Sequence, residues 1–221
     1  MEKGGSYIAC CYDRGRYIYI IGGIQNIEAL DRIDRFDILT GMFKCDFAKL
    51  KCARYHSFSF YKDGVIYIIG GTTKSSKGPC MGVDNIEAFN VEDRSSEIVY
   101  QFRDEEREIV DGCCFDNREY IYIITKTYIY RISIYEWKMD KTLVYPIFPK
   151  GGTGLSMVFG YNDGFKIWLI TDLLQYCYHF DKGDDCGGIK WDSLRTGKGE
   201  WKEFNRKITK TNSHGAVGIL S

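Results

Sequence analysis

The side chains that could do chemistry in this chain are few in kind and badly spaced for it. The 221 residues include three histidines, His56, His179 and His214, and nine cysteines. A metal centre needs three or four N, O or S donors converging on one point. Cys10-Cys11 and Cys113-Cys114 are each adjacent in sequence, so on a strand their side chains leave opposite faces and cannot reach one ion. No Cys-x-x-Cys occurs, and the histidines read as strand or rim residues, so no metal is expected. The carboxylate runs Asp104-Glu-Glu-Arg-Glu108 and Asp184-Asp185 read as solvated turns rather than as acid-base pairs. Gly151-Gly-Thr-Gly154 precedes an extended run where a dinucleotide fingerprint needs a helix, and no phosphate loop of the Gly-x-x-x-x-Gly-Lys-Ser/Thr kind is present. The expectation is a chain without cofactor and without catalytic residues.

Composition narrows the partner classes. Lys and Arg number 30 against 30 Asp and Glu, a formal net charge of zero. Counterion release at a phosphate backbone and attraction to an anionic bilayer both need a surplus of cations, so neither nucleic acid nor membrane is expected as a partner. With 44% hydrophobic and 15% aromatic residues and three prolines, the chain has enough apolar surface to build a core. Glu2 and Lys3 near the start, and the interruption of the next apolar stretch at Asp13 and Arg14, leave no signal-peptide core. No apolar run approaches the roughly 18 residues of a membrane span. An odd cysteine count and no Asn-x-Ser/Thr site point to free thiols in a reducing, cytoplasmic setting.

The elements that must position any site are repeats. Ala9 to Gly23 (ACCYDRGRYIYIIGG), Phe58 to Gly71 (FSFYKDGVIYIIGG), Gly112 to Lys126 (GCCFDNREYIYIITK) and Val158 to Asp172 (VFGYNDGFKIWLITD) read alike. Tyr19, Tyr67, Tyr122 and Trp168 hold the same place in each, at a period of about 50 residues. Each copy carries a turn signal of Asp, Asn and Gly followed by a Tyr/Ile run, the pattern of a β-hairpin. Downstream, Asp34 to Phe43, Glu87 to Ser96, Tyr128 to Trp137 and Tyr178 to Asp181 form a second shared segment. In it, Phe36, Phe89, Tyr130 and Phe180 are matched, with a following aromatic at Phe43, Trp137 and Trp201. Each copy is therefore expected to be four antiparallel strands, here a, b, c and d, that must stack on a neighbour to bury both faces.

At these residues the chain resembles the kelch-repeat β-propellers: a hydrophobic strand b, the double glycine at Gly22-Gly23 and Gly70-Gly71, and the aromatics that follow. Thr125-Lys126 and Thr171-Asp172 stand in for the double glycine in the later copies. The resemblance implies an all-β kelch-type propeller over 1–221, with four four-stranded blades at about 6–50, 55–102, 109–145 and 154–204. One extra strand, at about 213–220, would be left over. Rings of this family are usually larger than four blades, so an open or partial ring is expected. The chain could be part of a longer propeller, pair with a second copy through its open blade edges, or close tightly as four blades.

The resemblance also implies a protein-protein interaction module, with its partner bound at the end of the blades that carries the d-to-a and b-to-c connections. Similar propellers engage peptides there through Arg, Tyr and Ser. The matching residues are Arg54, Tyr55, Lys74, Ser75, Ser76 and Lys77, the last four in the long loop 72–83. The competing expectation is an enzymatic or small-ligand site at the propeller axis.

Overall fold

Each Tyr/Ile-rich run is the second strand of a four-stranded antiparallel meander. The computed structural model describes residues 4–75, 78–103, 110–125, 128–143, 156–160, 166–170, 175–179 and 201–204, and among them there is no helix. The chain divides into two compact units, Met1–Val110 and Asp111–Ser221, each holding two of the repeats.

In the first unit, β1 (Ala9–Tyr12) and β2 (Tyr17–Ile21) form a hairpin; β3 (Ile24–Gln25) and β4 (Glu28–Ala29) make a small ribbon; β5 (Arg32–Asp37) and β6 (Phe43–Lys49) complete a sheet ordered β1-β2-β5-β6. The second repeat copies this: β7 (Phe58–Lys62), β8 (Val65–Ile69), the ribbon β9 (Thr72–Thr73) and β10 (Met81–Gly82), then β11 (Asn85–Asn90) and β12 (Ser96–Gln101), ordered β12-β11-β8-β7. The second unit holds β13 (Gly112–Phe115), β14 (Tyr120–Ile124), β15 (Tyr128–Ser133) and β16 (Met139–Leu143) in one sheet. Its other sheet has β17 (Ser156–Gly160), β18 (Lys166–Ile170), β19 (Gln175–His179) and β20 (Trp201–Phe204). All four sheets thus run a-b-c-d.

Turn chemistry explains why the hairpins form where they do. In the second repeat a two-residue Asp63-Gly64 turn, with φ of 48° and 84°, joins Lys62 to Val65. Both central residues are left-handed, as the strand twist requires of such a turn. The first and third repeats use a longer loop closed by an aspartate: Asp13 Oδ1 accepts the N–H groups of Gly15, Arg16 and Tyr17, and Asp116 Oδ1 those of Arg118, Glu119 and Tyr120. The c-to-d turns are closed in the same way by the last residue of strand c, Asp37, Asn90 or Ser133. Each of these three is paired with the first residue of strand b, so they occupy one structural position.

Registers also correct the sequence alignment. Phe36 faces Ile18 and Phe89 faces Ile66, but the matching residues of the later repeats are Ile132, opposite Ile121, and Tyr178, opposite Ile167. Tyr130 lies two positions earlier, and Phe180 lies outside the described residues. A two-residue slip preserves which face each side chain takes, so alternation could not detect it. Trp137 stands in the c-to-d turn, two residues before strand d begins at Met139. Its N–H bonds the Ser133 carbonyl as that of Gly41 bonds Asp37, and both residues are left-handed turn positions.

The core of the first unit lies between its two sheets. Tyr19, Ile21 and Ile33 of the first sheet meet Ile66, Ile68 and Phe89 of the second, with Phe47 between. The Phe47 ring stands 6.0 Å from that of Tyr19 and 6.3 Å, edge-on, from that of Phe89. Strands β1 and β7 lie side by side. Among the described residues no helix is long and apolar enough to cross a membrane.

Substitutions at a glycine and at a turn aspartate test these contacts. A Cβ on Gly22, whose φ is +60°, would fall 2.2 Å from the Arg54 carbonyl oxygen, whereas one on Gly64 would meet nothing within 4 Å. Gly22→Ala should therefore lower the unfolding free energy by about 3 kcal/mol or more, and Gly64→Ala by only about 1 kcal/mol, in urea titrations followed by circular dichroism. Asp37 is held well below the usual carboxylate range, first by its hydrogen bond with Arg16. A carboxylate depressed on folding stabilises fully above its unfolded pKa and loses that contribution as pH falls toward its folded one. Asp37→Asn should flatten the fall of the melting temperature below about pH 4 and leave the curve above pH 6 parallel to the parent.

Candidate functional site

The d-to-a and b-to-c connections of an antiparallel meander lie at one end of the sheet. At this end of the first unit Arg54 is fully buried, 0% exposed. Its Nη2 donates to Glu87 Oε2 at 2.7 Å and to Asn85 Oδ1 at 2.9 Å, its Nη1 to the Gly70 carbonyl at 3.1 Å, and its Nε to the Cys52 carbonyl at 3.2 Å. Arg54 belongs to the d-to-a connection that the resemblance assigns to partner binding, but its guanidinium faces inward, because that connection carries it across the top of the second sheet onto a buried carboxylate. Glu87, itself 0% exposed, also accepts the N–H groups of Lys51 and Cys52 and the Ser96 hydroxyl. Burial pulls the Arg54 pKa down, and Glu87 opposes that shift.

The register of the first sheet places Asp34 where the second has Glu87. Asp34 is 1% exposed, pairs with Arg32 at 3.1 Å and accepts the Asp46 N–H at 2.8 Å. In both sheets the pairing of strands c and d is irregular beside this acid. An irregularity frees backbone N–H groups from the ladder, and the Asp34 carboxylate takes one of them.

The surface is built on the backbone that Arg54 anchors. Tyr55 bridges Thr72 as Ser6 bridges Ile24, each pairing placed just after a double glycine. The approach is close enough that a Cβ on Gly71 would lie 2.7 Å from the Tyr55 carbonyl oxygen. The next residue in each repeat, Tyr7 or His56, is left-handed, with φ of 56° and 54°. Their rings stack at 4.1 Å and 27°, and the His56 N–H bonds the Tyr7 carbonyl at 3.0 Å. The Tyr55 ring stands 5.3 Å from His56 and 6.4 Å from Tyr7, and its hydroxyl meets Cys80 Sγ at 3.7 Å. Partial burial, reinforced by Cys80, raises the Tyr55 pKa, so the phenol stays protonated.

Of the other expected site residues, Lys74 is half-buried and Ser75 exposed; Ser76 and Lys77 lie outside the described residues. The Lys74 carbonyl accepts the Ala29 N–H at 2.9 Å, which ties the ribbon β9–β10 to β3–β4. The long loop 72–83 thus carries secondary structure of its own. Sequence reasoning did not identify the apolar residues that this end exposes: Tyr7 at 44%, Ile8, Ile27 at 61% and Met81. Ile27 and Asn26 form the two-residue turn of β3–β4, with φ of 72° and 49°. A β-branched residue is rare there, where Asn-Gly is the usual pair. No pattern in the sequence marks it, because nothing in the flanking residues announces a turn with Ile at its second place.

Among the described residues, burial holds several thiols protonated. Cys113 and Cys114 are buried and their pKa values pushed well up by desolvation; burial takes Cys11 up to about 12. Cys10, by contrast, is exposed. His179 ends β19, and His214 lies outside the described residues. Among the described residues no group of three or more His, Cys, Asp or Glu side chains could hold a metal ion. No protein-family model matches the sequence, and no curated protein matches it.

Removing Arg54 strands a buried carboxylate. Arg54→Ala should cost about 3–5 kcal/mol in denaturant unfolding. Arg54→Met combined with Glu87→Gln should be milder than Arg54→Ala alone, since no buried charge is left unpaired.

Proposed function

We propose that this chain is a non-catalytic protein-protein interaction module, a kelch-type β-propeller array that binds a protein partner at the end carrying its d-to-a and b-to-c connections. The observation that carries the reading is the exposed Tyr7–His56 stack, held by left-handed backbone with the Tyr55 ring beside it, at an end of the sheets that also exposes Ile8, Ile27 and Met81. Aromatic rings with a polar tip, set on a rigid scaffold, supply contact area at low entropic cost and are the residue types that dominate protein interfaces. Lys74 and Ser75 add a polar rim, and Arg54 serves beneath it as the residue that holds Tyr55 and His56 in place. The repeats form an open or partial ring in the cytoplasm, whose blade edges offer a route to self-association.

Affinity capture with the full chain tests the reading. Joint Tyr7→Ala, Tyr55→Ala and Lys74→Ala changes should reduce recovery of the captured partner by about tenfold or more, as loss of two aromatic anchors does at interfaces. The melting temperature should stay within a few degrees of the parent. Undiminished capture would move the partner to another surface.

A further inference from the structure

The opposite end of the first unit, where the a-to-b and c-to-d turns lie, gathers positive charge around one ring. The Arg35 guanidinium is sandwiched between Tyr17, 4.1 Å from that ring's centroid, and Phe47, at 4.2 Å. Arg94 comes from the c-to-d turn of the second sheet to 4.7 Å from the same Phe47 centroid, and Lys44 Nζ stands 5.7 Å from it. No two of these cations can be further apart than the sum of their distances to that point. Arg35 reaches the Tyr19 hydroxyl, a neutral partner whose own pKa is pushed up to about 12, chiefly by burial. Among the described residues, none of Arg35, Lys44 and Arg94 is ion-paired with a carboxylate.

Two of the carboxylates nearby are already engaged. Asp37 is taken by Arg16, whose Nε donates to it at 2.9 Å, and Asp93, beside Arg94, accepts both the N–H and the hydroxyl of Ser95. Arg35 and Lys44 line a cleft of about 310 Å³ together with Tyr17, Asp37, Met42 and Phe43. Arg94 is not among its lining residues, so the positive charge extends past the cleft. Next to it the c-to-d turn exposes Leu39 at 74% and Met42 at 68%. Quadrupole attraction offsets part of the repulsion among the cations and leaves N–H donors free to meet an entering anion.

We propose that this cleft is a second binding site, for an acidic peptide segment in which carboxylates alternate with apolar side chains. The carboxylates meet the edge of Arg35 and the heads of Lys44 and Arg94, and the apolar side chains lie on Met42, Phe43 and Leu39. Because Arg35 is fixed between two rings before any ligand arrives, little rotamer freedom is lost on binding. A single compact phosphate would use Arg35 and Lys44 but leave both Arg94 and the apolar rim unused. The site is separate from the Tyr7–His56 surface and does not rest on the function proposed for it.

Fluorescence anisotropy on the full chain tests the proposal, with a labelled peptide of interspersed Glu and Leu, its Gln-for-Glu counterpart, and inorganic tripolyphosphate as competitor. The Glu peptide should bind saturably, at least about tenfold more tightly than the Gln peptide, and should weaken as salt is raised. Joint Lys44→Gln and Arg94→Gln, both exposed, should weaken binding roughly fivefold without moving the melting temperature. Arg35→Lys, which keeps the charge and loses the planar stack, should weaken it further. The Tyr7, Tyr55 and Lys74 changes should leave it intact. Equal binding of the two peptides, no binding of either, or an unaltered affinity in the Lys44 and Arg94 variant overturns the proposal. Tripolyphosphate binding more tightly than the Glu peptide overturns it in favour of a phosphate ligand.

Discussion

The architecture of the first unit depends on one buried ion pair, Arg54 with Glu87. Its backbone and its side chain serve different sheets. The Arg54 carbonyl accepts the Gly23 N–H and its N–H bonds the Leu30 carbonyl, both in the first repeat, while the guanidinium grips Gly70, Asn85 and Glu87 in the second. A charge taken out of water needs its partner and its remaining donors satisfied, so this geometry has little latitude. The residue therefore fixes where the chain leaves one sheet and enters the next.

The segment just beyond Arg54 inherits that precision. Tyr55 is set against Thr72, His56 turns left-handed, and Ser57 begins the descent into β7, all within three residues of the anchor. The exposed ring pair is thus carried by a segment with a fully buried base. Tyr7, its stacking partner, reaches the same posture in the first repeat after the Ser6–Ile24 bridge, so two copies of one backbone motif meet ring to ring.

Much of the scaffold was legible in the sequence because its signals are local. The Asp63-Gly64 dipeptide between β-rich runs signals a tight hairpin, and the four Ile-rich aromatic runs mark the four second strands. The equivalence of Tyr19, Tyr67, Tyr122 and Trp168 agrees with the observed registers. Strand c was harder, since Tyr128-Ile-Tyr-Arg-Ile-Ser133 carries large side chains at alternate places and two alignments fit equally well. The site was least legible. Arg54 looks like a surface loop residue until Glu87, thirty-three positions away, is seen beneath it. Nothing local distinguishes an arginine that faces water from one that spans two sheets.

The c-to-d turn repeats one backbone path under three different side chains. Its left-handed position holds Gly41 in the first repeat, Arg94 in the second and Trp137 in the third. Glycine is the residue that this conformation favours, and a side chain there costs on the order of 1–2 kcal/mol. The neighbouring aspartate, asparagine or serine at the end of strand c closes the turn by itself, so the backbone is over-determined and tolerates the cost. The consequence is modular. A scaffold of repeated four-stranded sheets can change the chemistry of its rim one repeat at a time, a cation here and an indole there, while the first three sheets keep the same turn-closing hydrogen bonds beneath it.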